Sequence, residues 1–129
     1  MPYSRLQTSN KGVLGNKQYD LEDRTLSFAR SCRDLTKLIS KNTANFEYSK
    51  QLIRSSGSVG ANYIEANESL SKKDFVLRVK ISRKEAKESR YWLSLIETAD
   101  YATDAKRNKL ISEATELIKI LDSIARKSQ

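Results

Sequence analysis

A chain of 129 residues is long enough to bury one hydrophobic core and too short for two domains joined by a linker. It holds only 4 Gly and 1 Pro, so the residues that punctuate β structure are scarce and an all-α fold is expected. With 24 Lys and Arg against 16 Asp and Glu, the formal charge is +8 and the pI about 9.6, which suits a nucleic-acid or acidic protein partner unless the charge serves solubility alone.

Cys32 is the sole cysteine, so no intramolecular disulfide can form; it lies in an apolar helical stripe, where a thiol packs as a small hydrophobe. The opening MPYSRLQTSNKGVLGNKQYD has no apolar run of signal-peptide length. No apolar stretch anywhere approaches the roughly 18 residues of a membrane helix. The expectation is a soluble, cytoplasmic protein without a membrane role.

Residues 1–19 mix Ser, Thr, Asn, Gln, Lys and Gly without periodicity and are read as a flexible tail preceding a bundle over 20–129. Gly12 and Gly15 do not make a phosphate loop, because no strand precedes them and no GK[ST] follows. From Leu21 the spacing of Leu21, Thr25, Phe28, Cys32, Leu35 and Ile39 predicts a helix over 21–39, with Asp20 as N-cap and Glu22 and Asp23 in its first turn.

A second helix is predicted over 43–68, capped by Asn42 or Thr43, with Phe46, Ser49, Leu52, Ile53, Ser56, Val59, Gly60, Tyr63 and Ala66 on its buried side. Its middle, SSGSVGAN, has poor helix propensity; tertiary packing must hold it, or a loop splits it in two. Small residues at Ser56, Gly57 and Gly60 would admit a close backbone neighbour. A third helix over 72–100 starts on a capping-box-like Ser71 and Asp74 and buries Phe75, Val79, Ser82, Ala86, Ser89, Leu93 and Ile96. The fourth, over 104–126 with Thr103 or Asp104 as cap, turns Leu110 or Ile111, Ala114, Leu117, Ile118, Leu121, Ile124 and Ala125 inward. Short connections make an antiparallel up-down-up-down four-helix bundle roughly 30 to 40 Å long. Phe28, Leu52, Val59, Phe75, Val79, Ala86, Leu93, Leu117 and Leu121 should form its core.

The chain has no histidine, which removes Ser-His-Asp and Cys-His nucleophile activation and the Glu-x-x-His motif of di-iron bundles. No enzyme, no metal site and no cofactor is expected. Glu65, Glu68, Glu85 and Glu88 are read as partners for Arg54 or nearby lysines rather than metal ligands. Tyr63, Tyr91 and Trp92 have the chemistry of base-stacking platforms but at helical spacing are read as core or interface residues, and Cys32, with no base to activate it, has no role beyond packing.

On the third helix, Lys73, Lys80, Arg83, Lys84, Lys87 and Arg90 gather on one flank and the back, the candidate phosphate-binding set. Leu77, Ile81, Trp92 and Leu95 fall on the other flank, a second apolar surface that a monomer would not need and the candidate oligomer interface.

RSSGSVGANYIEA (Arg54 to Ala66), SKKDF (Ser71 to Phe75) and KISRKEAKESRYWL (Lys80 to Leu93) occur in order, with a weaker extension back to YDLEDRTLSFA. In these segments the chain resembles the bacterial four-helix-bundle proteins encoded within intervening sequences of 23S ribosomal RNA genes; Ser82 stands where that pattern often has Ala. The resemblance implies a homopentamer with a basic, nucleic-acid-binding surface and no enzymatic activity. It is similar too to the accessory variability determinant proteins of diversity-generating retroelements, which implies RNA and a reverse transcriptase as partners.

Overall fold

The structure, a computed structural model, describes residues 20–129; the tail expected over 1–19 lies outside the described residues. Four helices account for the fold: α1 (Leu21–Leu38), α2 (Thr43–Asn67), α3 (Lys72–Leu95) and α4 (Tyr101–Lys127), with no strand among the described residues. Each begins on a side chain that accepts from an otherwise orphaned first-turn amide. Asp20 accepts from Glu22 N at 3.1 Å, Asn42 from Asn45 N at 2.8 Å, Ser71 from Asp74 N at 3.1 Å and Asp100 from Thr103 N at 2.8 Å.

Interhelix partners give the topology directly. Arg54 meets Glu85, Val59 meets Ser82 and Asn62 meets Arg78, so α2 and α3 run antiparallel. Arg83 with Asp122 and Arg90 with Thr115 do the same for α3 and α4, while Arg24 with Glu113 and Asn67 with Glu22 tie α1 to both α4 and α2. The up-down-up-down bundle is therefore present, and all nine expected core residues are 2% exposed or less.

The buried side of α2 departs from the expectation. Phe46 and Ile53 are 63% and 49% exposed, because the helix turns Asn45, Ser55 and Ser56 inward with Leu52, Val59, Tyr63 and Ala66. Those small residues decide the rotation: Ser82 Oγ donates to Val59 O at 2.6 Å and Ser55 Oγ lies 2.8 Å from Ser89 Oγ, a close approach that bulkier Ile53 or Phe46 would prevent. SSGSVGAN runs through α2 unbroken, so the split into two short helices does not occur.

The third helix stops at Leu95 rather than 100. Buried Asn45 takes over the backbone there: its Nδ2 donates to Glu97 O at 2.9 Å and to Ser40 O at 3.0 Å, and its Oδ1 accepts from Glu97 N at 2.9 Å. Ile96 is extended yet 1% exposed, and Arg107 caps its carbonyl at 2.8 Å. The fourth helix correspondingly starts earlier than expected, on Asp100 instead of Thr103 or Asp104; the Thr103 amide and hydroxyl hold the Asp100 carboxyl below its ordinary range.

The two glycines of α2 differ in surroundings and should differ in response. A Cβ at Gly60 would lie 2.8 Å from Thr25 Oγ1, whereas a Cβ at Gly57 meets nothing within 4 Å. Gly57→Ala should therefore stabilise the protein by about 0.5–1 kcal/mol, and Gly60→Ala should destabilise it despite the same gain in propensity. Leu52→Ala or Leu93→Ala should cost about 2–5 kcal/mol in urea denaturation; losses of only a few tenths would show these positions are not core.

Candidate nucleic-acid interface

With its end at Leu95, α3 excludes Glu97 and Asp100 and carries eight basic against three acidic side chains over Lys72–Leu95, a net +5. Two of those acids are occupied: Arg54 of α2 reaches Glu85 at 3.3 Å and Glu88 at 3.1 Å, so of Arg54 and the nearby lysines it is Arg54 that pairs with them. Asp74 lies in the first turn, where its own amide is capped by Ser71.

The buried residues Phe75, Val79, Ser82, Ala86, Ser89 and Leu93 repeat with a 4-3-4-3-4 spacing. The same rhythm two residues earlier passes through Lys73, Leu77, Lys80, Lys84, Lys87 and Tyr91, and a two-residue offset on a helix turns through about 200°. That stripe is the solvent face: Lys80 is half-buried and the other five are exposed. Among the described residues, Lys73, Lys80, Lys84 and Lys87 form no ion pair with a carboxylate.

The two arginines predicted with them stand apart. Arg83 Nη1 is 2.6 Å from Asp122 Oδ1 of α4, and the same carboxylate holds Arg126 at 3.0 Å. Arg90 Nη1 donates to Thr115 Oγ1 at 3.2 Å. Both are half-buried on the flank that packs on α4. Periodicity placed them on the basic flank but could not show that a long guanidinium there reaches the next helix.

The apolar flank also divides. Trp92 packs against the core and stacks on Tyr48 of α2, centroids 6.2 Å apart at 29°, so it is largely used within the protomer; Ile81 and Leu95 are half-buried. Leu77 is 55% exposed but belongs to the lysine stripe. Other exposed apolar side chains lie on α1 and α2, at Leu26, Phe46, Ile53 and Ile64. Tyr63 is core, as read, whereas Tyr91 is 59% exposed; the stripe through Lys84 and Lys87 was the signal for its position.

Cys32 is fully buried, and burial pushes its thiol up to about 12 from 9.0, with Ser56 as a weaker opposing hydrogen-bond partner. No described helix is long and apolar enough to cross a membrane.

The 23S rRNA-intervening sequence protein family model matches residues 17–123. The chain belongs to that family. It is similar to a solved protein of unknown function from the S23 ribosomal protein family of Bacteroides thetaiotaomicron, with 36% identity and a TM-score of 0.70 over 81% of this chain and 96% of that one. Among curated proteins, none matches.

Two buried groups make the bundle sensitive to alkali. Cys32 and Tyr63 are both raised to about 12 by burial, so both stay neutral in the native state while the unfolded thiol and phenol ionise. Their contribution is complete below the thiol's ordinary 9.0 and is lost as pH rises toward about 12. Urea midpoints should fall across that window, and a disulfide reagent at neutral pH should leave the native thiol unmodified; a native thiol as reactive as the unfolded one would contradict the burial.

Proposed function

We propose that this protein is a non-catalytic, oligomeric binder of nucleic acid, RNA in preference, acting in the bacterial cytoplasm through phosphate contacts from the outer face of α3. The observation that carries this reading is the stripe of Lys73, Lys80, Lys84 and Lys87, whose charges no described carboxylate neutralises. Lys80, Lys84 and Lys87 stand about 5–6 Å from one another in turn, with Lys73 two turns before Lys80, a ladder of point charges suited to a polyanion and devoid of base-reading geometry. Arg83 and Arg90 support the ladder from beneath, tied to Asp122 and Thr115. The family's link to 23S ribosomal RNA genes favours RNA.

Absence of catalysis is supported by a chain without histidine, a sole thiol buried and held neutral, and paired glutamates engaged by Arg54. Self-association, pentameric by family resemblance, is supported by the apolar residues left uncovered. Leu26, Ile53 and Ile64 on the α1–α2 side suit that contact better than Trp92, which is stacked within the protomer. Association through that side keeps the α3 lysines in solvent and repeats them around a ring, multiplying weak contacts.

Fluorescence anisotropy with labelled RNA should show binding that weakens steeply with salt and varies little with sequence. Lys80, Lys84 and Lys87 replaced together by Glu should abolish it without altering helical content or the mass seen by light scattering. If that variant binds RNA like the parent at ~0.1 M salt, the stripe is not the phosphate site, and an acidic protein partner becomes the better reading. Light scattering that finds only monomer at micromolar concentration would remove the oligomer.

A further inference from the structure

The outer stripe of α3 ends in an aromatic residue. Tyr91 follows Lys87 by one turn, on the same line as Lys80 and Lys84, and is 59% exposed. Its ring meets that of Trp92 in a T-shaped arrangement, centroids 5.3 Å apart at 70°. Trp92 is itself fixed by stacking on Tyr48 and by packing against the core. The phenol ring is thus in contact with Trp92, an aromatic itself fixed in the bundle, and more than half exposed to solvent, with the lysine ladder leading up to it.

We propose that Tyr91 is a stacking platform for an unpaired base, which makes the α3 stripe a site for single-stranded RNA in preference to duplex. This rests on the phosphate-binding reading above and adds the form of its ligand. A ladder of lysines attracts single strands and duplexes alike, because both present phosphates. Only a single strand can turn a base out of the backbone tracking Lys80, Lys84 and Lys87 and lay it on a ring one helical turn, about 5–6 Å, further on. In a duplex every base face is already covered by its neighbours. Stacking of this kind tolerates any base, so the site discriminates strandedness without reading sequence. Trp92, held by its stacking on Tyr48, acts as a positioning residue that limits the rotamers of Tyr91, so less freedom is lost when a base stacks.

Anisotropy titrations of the full chain with a fluorescein-labelled oligouridylate and with an RNA duplex of equal length separate the two ideas. The parent should bind the single strand more tightly. Tyr91→Ala should weaken single-strand binding about ten-fold or more and leave both duplex affinity and the salt slope unchanged, since no ionic contact is removed. Tyr91→Phe should restore the parent's preference, and far-UV circular dichroism should show all variants equally helical. Equal affinity of the parent for both RNAs, or a Tyr91→Ala variant that keeps the single-strand preference or loses both ligands alike, overturns the platform while leaving phosphate binding intact. A parent that binds neither RNA overturns the phosphate reading and the platform with it.

Discussion

The seam between α2 and α3 sets the rotation of the helix that carries the candidate site. Ser55, Ser82 and Ser89 are fully buried in it, where an unpaired hydroxyl would cost free energy. None is unpaired: Ser82 Oγ donates across the seam to Val59 O, Ser55 and Ser89 share a hydrogen bond, and Ser89 also reaches Glu85 O. Small volume lets the two helices approach, and directional bonds select one rotational setting where facing leucines would tolerate several. Once α3 is locked this way, Lys73, Lys80, Lys84 and Lys87 have no choice but solvent, and Arg54 falls within reach of Glu85 and Glu88.

The far end of the bundle is governed by one polar residue. Asn45 is 1% exposed and satisfies backbone groups of both the α1–α2 and α3–α4 connections, at Ser40 and Glu97. By taking the Glu97 amide and carbonyl out of helical bonding it ends α3 early, and Asp100 becomes free to cap α4. The consequence is electrostatic as well as structural. Two carboxylates leave the helix that carries the lysine stripe, which concentrates its positive charge.

Much of this was legible because it is local. Cap chemistry at Asp20, Asn42 and Ser71 and the core spacing of each helix follow from residue type at helical intervals. What escaped depends on distance between helices, which periodicity does not encode. Phe46 and Ile53 sit near the edge of the α2 buried arc, where serine-mediated close approach turns such positions outward. The end of α3 has no Pro or Gly to mark it; its cause, Asn45, lies 52 residues away in the chain. Tyr91 and Trp92 are adjacent in sequence, yet one faces solvent and the other packs on Tyr48, a distinction set by which flank of α3 meets α2.

The basic residues of the bundle separate by type, and the chemistry of the two cations accounts for it. Interhelix cation contacts come from arginines: Arg24 to Glu113, Arg54 to Glu85 and Glu88, Arg83 to Asp122 and Arg90 to Thr115. The lysine ion pairs, Lys37 with Asp34, Lys50 with Glu47 and Lys119 with Glu116, stay within one helix at i, i+3. A guanidinium is weakly hydrated and presents a rigid fork of donors, so it tolerates the half-buried groove between helices; an ammonium is strongly hydrated and keeps to water. In a chain of net charge +8, arginine therefore holds helices together and lysine supplies the outward field. The same division helps α3 carry eight basic residues without separating from its neighbours, since Arg83 is paired with Asp122 of α4, and Arg78 and Arg90 donate to Asn62 and Thr115 of the neighbouring helices. The lysines on its back repel one another only through solvent, where screening is strongest. A polyanion laid along that back would relieve the remaining repulsion without disturbing any bond that holds the bundle together.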